Sequence, residues 1–180
     1  METKVVNLFG APGAGKTTLA ALIFAELKRR HINCELVTEF AKKAVWERRE
    51  LAMSNEILLF AEKHHELHVL NGQVEYIILD SPLMLTAVYN SLYGEVENLN
   101  DLARSEHNKF NNINLFIINN SSQHSMEGRI HDTAEVDKIK KKLTELYYEL
   151  ENTSEILTTE EFNAKVIADK ILGGEYERRR

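Results

Sequence analysis

The chain has 180 residues, a formal net charge of -6, one cysteine, Cys34, and two prolines. That length suits one domain with its own hydrophobic core. A single cysteine excludes an internal disulfide and fits a reducing, cytoplasmic setting. There is no stretch of roughly 20 apolar residues for a membrane helix and no basic-apolar leader, and the acidic balance argues against tight nonspecific binding to nucleic acid.

The chain opens with Lys4 to Phe9, a short apolar, β-branched run that predicts a strand. It enters Gly10-Ala11-Pro12-Gly13-Ala14-Gly15-Lys16-Thr17-Thr18, which reads G-x-x-x-x-G-K-T, the phosphate-binding P-loop. Apolar residues at Leu19, Leu22, Ile23 and Leu27 then predict a helix over Thr17 to Arg30. Strand, loop, Lys-Thr and helix together leave little room for a glycine-rich turn without a ligand. Backbone N–H groups of such a loop converge on an anion, and the helix start adds its positive end. Lys16 is expected to reach the β- and γ-phosphate oxygens. Thr17 is expected to ligate Mg²⁺, and Thr18 to support the α-phosphate side.

Cys34 to Thr38 predicts a second strand. The proline-free segment from Ala41 to Gln73 predicts two helices that break near Ser54-Asn55. In the second, Ile57, Phe60, Ala61, His64, Leu67 and Val69 or Leu70 form an apolar stripe. Trp46 and Phe40 are candidates either to stack on a base or to pack in the core. His64 and His68 share a helix face, with His65 beside them. No cysteine or third ligand lies nearby and the HExxH order is absent, so ordinary helix histidines are expected rather than a zinc site.

Tyr76 to Leu79 followed by Asp80 reads as a buried parallel strand ending in an acid. Ligands collect at the carboxyl ends of such strands, which places Asp80 beside the P-loop if this strand neighbours the first. Asp80 then serves as a Walker B carboxylate on Mg²⁺; its ordinary alternative is a helix or turn cap. Leu83 to Tyr93 predicts a helix stopped by Gly94, and Asn98 to Lys109 a surface helix. Ile113 to Asn119 predicts the fourth strand, and 121–131 a loop. From Glu135, the apolar positions Val136, Ile139, Leu143, Leu146, Tyr147 and Leu150 mark an amphipathic helix. A short strand at 156–158 and a helix from Glu160 or Glu161 to Gly173-Gly174 complete the pattern. This alternation predicts an α/β chain with about five parallel strands and helices on both faces. The expected organisation is one domain over residues 1–174 and a polar tail over 175–180.

A P-loop by itself gives nucleotide binding and no particular reaction. A motor usually carries a further helical domain, for which there is no room. A GTPase switch would show Asn-Lys-x-Asp after its fourth strand, where this chain has Asn119-Asn120-Ser121-Ser122. The P-loop, Thr38-Glu39-Phe40-Ala41, Leu79-Asp80-Ser81-Pro82 and Glu127-Gly128-Arg129-x-x-Asp132 together resemble the P-loop nucleoside and nucleotide kinases. They are most similar to the branch with bacterial ribosylnicotinamide kinase domains and their small phage relatives. The match spans most of the chain, although only the P-loop motif is highly specific. The resemblance implies a three-layer P-loop kinase fold of strand order 2-3-1-4-5, a lid near residues 121–134 and a substrate site on the helices that link strands two and three.

It also implies an enzyme, an ATP- and Mg²⁺-dependent kinase of a nucleoside, nucleotide or related small molecule. Carried over residue by residue, Glu39 faces the acceptor hydroxyl as a base, with Asp80 as a second candidate, and Arg129 is the lid arginine that stabilises the transferring phosphoryl group. The ordinary alternative for Glu39 is a solvated strand-end charge, and for Arg129 a surface arginine in a flexible loop. Asp132 and Glu135 resemble a capping box, and Asp132 could also orient Arg129. Arg48 and Arg49 could bind an acceptor phosphate or belong to a solvated charge run. Two other readings stay open. One is a kinase of a hydroxyl on DNA or RNA, using Lys42, Lys43, Arg48 and Arg49. The other is a nucleotide-dependent binding module or slow ATPase.

Overall fold

The computed structural model describes residues 1–38, 46, 55–94, 96–118, 133–151, 153–157 and 163–173. Strands β1 (Lys4–Phe9), β2 (Cys34–Val37), β3 (Tyr76–Leu79), β4 (Asn111–Ile118) and β5 (Thr153–Leu157) form one sheet. Its order is β2-β3-β1-β4-β5, and every neighbouring pair is parallel. The described helices are α1 (Lys16–Arg29), α2 (Glu56–Leu70), α3 (Leu83–Tyr93), α4 (Leu99–His107), α5 (Thr133–Glu149) and α6 (Ala164–Leu172). None of them is long and apolar enough to cross a membrane. The fold is the α/β, P-loop kinase-like architecture that the motif order implies.

Parallel strands covered on both faces explain the sheet's continuous apolar runs. In β1 the side chains alternate. Val6 and Leu8 pack with Ile23 and Leu27 of α1 and Ile167 and Ile171 of α6. Val5 and Phe9 turn to the other face, against residues of α2, α3, α4 and α5. There Phe9 stacks on Phe116 at 4.5 Å between ring centroids, and Tyr147 of α5 meets Phe116 edge-on. Val136, Ile139, Leu143 and Leu146 are buried, as their spacing requires.

Local chemistry sets several boundaries. Asn55 caps α2, its Oδ1 accepting from the Leu58 N–H at 3.0 Å, so the second helix of the expected pair starts there; all of the first but Trp46 lies outside the described residues. Gly94 ends α3 at φ 65°, in the left-handed region that favours glycine. Helix α6 starts later than its acidic lead-in suggests, because Asn163 accepts from the Val166 N–H at 3.2 Å. Strand β4 starts earlier than its apolar run, because Asn111 and Asn112 extend the ladder with β1.

The α2 stripe needs correction. Phe60 and Leu67 are buried, and of the alternatives Val69 and Leu70 it is Leu70 that packs on the core; Ile57 and Val69 are more than half exposed and Ala61 is also exposed. The buried set is Leu59, Phe60, Lys63 and Leu67, so the inward face is rotated and includes a lysine. In α1, Leu22 is likewise exposed, and Ala20 takes a place in the core. Trp46 is 72% exposed, so it does not fill the core. Phe40 lies outside the described residues.

Candidate functional site

The P-loop leaves the carboxyl end of β1, the strand held between β3 and β4. Gly13 and Gly15 sit at φ 90° and 89°, angles that L side chains rarely adopt. Gly10 is held by crowding instead: a Cβ there would stand 3.0 Å from the Ala14 Cβ. The Ala14 N–H donates to the Ala11 carbonyl at 3.0 Å, closing the turn, and α1 begins at Lys16 straight after Gly15. The start of α1 brings further N–H groups and a positive helix end to the same loop.

Lys16 folds its ammonium back over the loop, donating to the carbonyls of Gly10 at 2.8 Å and Ala11 at 3.2 Å. Thr17 Oγ1 donates to Asp80 Oδ2 at 2.7 Å, across 63 residues of sequence. Asp80 is 2% exposed. Its own N–H donates to the Val37 carbonyl at 3.1 Å, so the acid continues the β2–β3 ladder at its carboxyl end. Thr18 is exposed on the first turn of α1. The structure therefore gathers Gly10, Ala11, Pro12, Gly13, Ala14, Gly15, Lys16, Thr17, Thr18 and Asp80 into one constellation. A hydroxyl and a carboxylate in contact, beside a lysine and a loop of N–H groups, form a donor set of the kind hard cations and phosphates bind. Glu39, Arg129, Gly128, Asp132, Arg48, Arg49, Lys42 and Lys43 lie outside the described residues. So does the expected lid, except for residues 133–134, which open α5.

Sequence reading missed Lys63. It is 8% exposed on α2, and its Nζ stands 3.2 Å from Thr86 Oγ1 and 3.5 Å from Ser81 Oγ. Ser81 directly follows Asp80, so Lys63 reaches the residue next to the site's carboxylate. Within an Ala-, Leu-, Glu- and Lys-rich helix, nothing local separates Lys63 from a solvated lysine. Only the burial of its neighbours Leu59 and Leu67 on the same face could have singled it out.

Other reactive groups stand apart from this chemistry. Burial pushes the Cys34 thiol up, which disfavours the thiolate. Burial pushes His107 down to about 4, which keeps its imidazole neutral at physiological pH.

Residues 5–165 match the family model described as an AAA domain. No curated protein sequence matches the chain. Among solved structures, the NadR protein in complex with NR superposes at a TM-score of 0.72 and 20% identity, over 99% of this chain and 52% of that one. This chain thus spans about half the length of that protein. Thymidylate kinase from Ehrlichia chaffeensis aligns at TM-score 0.62 and 11% identity, covering 97% and 100% of the two chains. Deoxyadenosine kinase from M. mycoides, with dCMP and a flexible dCDP bound, aligns at TM-score 0.57 and 16% identity, covering 96% and 99%. At these identities the likeness establishes the fold.

Proposed function

Since the chain belongs to the AAA-domain family of P-loop proteins, we propose that it is an ATP- and Mg²⁺-dependent phosphotransferase acting on a nucleoside, nucleotide or related small molecule. The observation that carries this reading is the 2.7 Å contact between Thr17 and Asp80 at the head of the P-loop. It joins the helix that follows β1 to the end of the adjacent strand, at the carboxyl ends of the parallel strands where ligands of such sheets collect, which supports a phosphate site there. Kinases named among the structural neighbours act on nucleosides and nucleotides, and this points to the same acceptor class.

The residues divide the work of in-line transfer. The loop amides from Gly10 to Thr17 bind and orient the phosphate chain. Lys16 exchanges its two carbonyl contacts for β- and γ-phosphate oxygens and draws charge as it develops. Thr17 and Asp80 would hold Mg²⁺, an ion that neutralises phosphate oxygens when bound. Thr18 supports the α-phosphate side. Glu39 accepts the proton of a hydroxyl acceptor, and Arg129 stabilises the transferring phosphoryl group from the lid near residues 121–134. Lys63 fixes the Ser81 and Thr86 hydroxyls on the acceptor side of Asp80. The acceptor oxygen forms its bond to phosphorus as the β,γ-bridging bond breaks, so ATP leaves as ADP. Residues 1–174 serve as one kinase domain, with 175–180 as a polar tail.

The deciding experiment is transfer of labelled γ-phosphate from ATP to a panel of nucleosides, nucleoside monophosphates, nicotinamide riboside and hydroxyl-bearing DNA, with an acceptor-free control. A labelled small-molecule product supports the reading. Label appearing only as free phosphate, at the same rate with and without acceptor, points to an ATPase and refutes it.

A further inference from the structure

Outside the residues of the P-loop constellation, α2 and α4 bring together His64, His68 and Glu106. His64 Nε2 stands 3.0 Å from Glu106 Oε2 and also 3.0 Å from His68 Nε2. The ligand atoms of all three lie within 4.8 Å of one another. The sequence separation of His64 and Glu106 is 42 residues, so the expectation that no third ligand accompanies the histidines is overturned by the packing of α2 on α4.

A neutral ring nitrogen carries one hydrogen or one in-plane lone pair. If His64 Nε2 donates to the carboxylate, its one hydrogen must also be shared with His68. If it accepts from His68, its lone pair faces the carboxylate oxygen. Hydrogen bonding therefore serves the pair His64–Glu106 or the pair His64–His68, and serves both poorly. A single cation at the point of convergence satisfies all three donors together.

We propose that His64, His68 and Glu106 bind a divalent transition ion, zinc foremost, which braces α2 against α4. Two imidazoles and a carboxylate favour such an ion over the hard cations bound by oxygen donors alone. Donors bound at about 2.0–2.1 Å to one tetrahedral zinc stand about 3.3 Å apart. The two 3.0 Å spacings reach that by outward movement of a few tenths of an ångström, while the His68 and Glu106 donors, within 4.8 Å of each other, adjust onto the same ion. The surroundings already orient the ligands. Lys109 Nζ holds Glu106 Oε1 at 2.6 Å, which turns Oε2 toward His64. Phe60 lies against the His64 ring and Phe110 against the His68 ring, with centroids 5.6 and 5.7 Å apart. His68 is exposed and the His64 side chain is 30% exposed, so the site opens to solvent, which supplies the remaining coordination position. His64 directly follows Lys63, so the brace also fixes the turn of α2 that touches Ser81 and Thr86.

The test is zinc binding by the chelator-stripped, tag-free full chain, followed by calorimetry and thermal melting, with Co²⁺ as a spectroscopic probe. The expected result is one saturable zinc site, a raised melting midpoint and a d–d band on Co²⁺ addition. Glu106→Gln, which keeps the shape of the side chain, should weaken zinc binding by about tenfold or more, as should His68→Ala. His65→Ala, an exposed residue outside the cluster, should leave it unchanged. The proposal is overturned if zinc leaves the melting midpoint of the wild-type chain unmoved. It is equally overturned if Glu106→Gln and His68→Ala bind zinc as the wild type does, which would place the ion at another site.

Discussion

The two faces of the sheet differ in kind. On the α1 and α6 face the packed residues are apolar, from Val6 and Leu8 through Ile78 and Ile113 to Ile171. On the other face the apolar cluster is threaded with buried polar groups. Asn7 lies within a described amide ladder: its Nδ2 donates to Asn112 Oδ1 at 2.9 Å and Asn114 Oδ1 at 3.0 Å, and Asn114 Nδ2 donates on to the Glu151 carbonyl at 2.8 Å. Lys63 and Thr86 pair from α2 and α3, while Asn90 and His107 are buried on α3 and α4. A dry face resists deformation and holds α1, and therefore the P-loop, at a fixed height on β1. A face with satisfied polar groups specifies one arrangement of its helices, because each group loses its partner if they slide. The first face carries α1, which follows the P-loop, and the second carries Lys63 beside Ser81.

That contrast can be broken at either end. The largest effect expected is from Lys16→Ala: a loss of transfer of about 10²–10³-fold, with the melting midpoint close to wild type. Steady-state kinetics beside a thermal melt checks it, and an unchanged turnover would remove Lys16 from the chemistry. On the dry face, Leu8→Ala should cost about 2–5 kcal/mol of stability, because Leu8 is fully buried and leaves a cavity. Chemical denaturation measures that cost, and ATP affinity should hold in conditions where the variant stays folded. On the polar face, Asn114→Ala removes one of the two side-chain acceptors of Asn7 Nδ2 and the donor to the Glu151 carbonyl, a loss of about 1–3 kcal/mol by the same measurement. If Asn114→Ala is neutral, the ladder does not specify the packing.

The smallest effect is electrostatic and sharpens the picture of how α1 is anchored. Arg29 and Arg30 hold the Glu26 carboxyl down at about 2, and Arg30 reaches on to Asp169 of α6 at 2.6 Å. A carboxyl lowered in the folded state contributes stability above its ordinary value of 4.5, and that contribution is lost as pH falls through about 2. Wild type should therefore lose slightly more stability than Glu26→Gln between those two pH values. Parallel acid-unfolding curves would contradict the assignment. Ion pairs at the protein surface are worth little, and Arg29 is largely exposed, so the difference should be small.

What was legible in the sequence was local. The P-loop, the acid after an apolar run at Asp80, the Asn55 break and the Gly94 stop each depend on a few consecutive residues. Strand order came from the family resemblance that the motifs carry, not from the residues themselves. What stayed hidden depends on residues far apart in the chain. Asn7 and Asn114 read as isolated polar residues within strands, and only the β1–β4 register pairs them. Lys63 is indistinguishable from a surface lysine until α2 packs on α3. His64 and His68 were visible as a helix pair, but Glu106 sat in what read as a polar surface helix. Ile57 and Val69 misled for a related reason: in a helix rich in apolar residues, the stripe that faces inward is chosen by the neighbouring helices.

The central claim is that Thr17 and Asp80 act together on the metal-bound phosphates of ATP. The most direct measurement is ATP binding by calorimetry with and without Mg²⁺, in the wild type and in Asp80→Asn. Mg²⁺ should tighten ATP binding to the wild type, and Asp80→Asn should abolish most of that gain while still binding ATP through the loop. An equal gain from Mg²⁺ in both proteins, or none in the wild type, would contradict the claim.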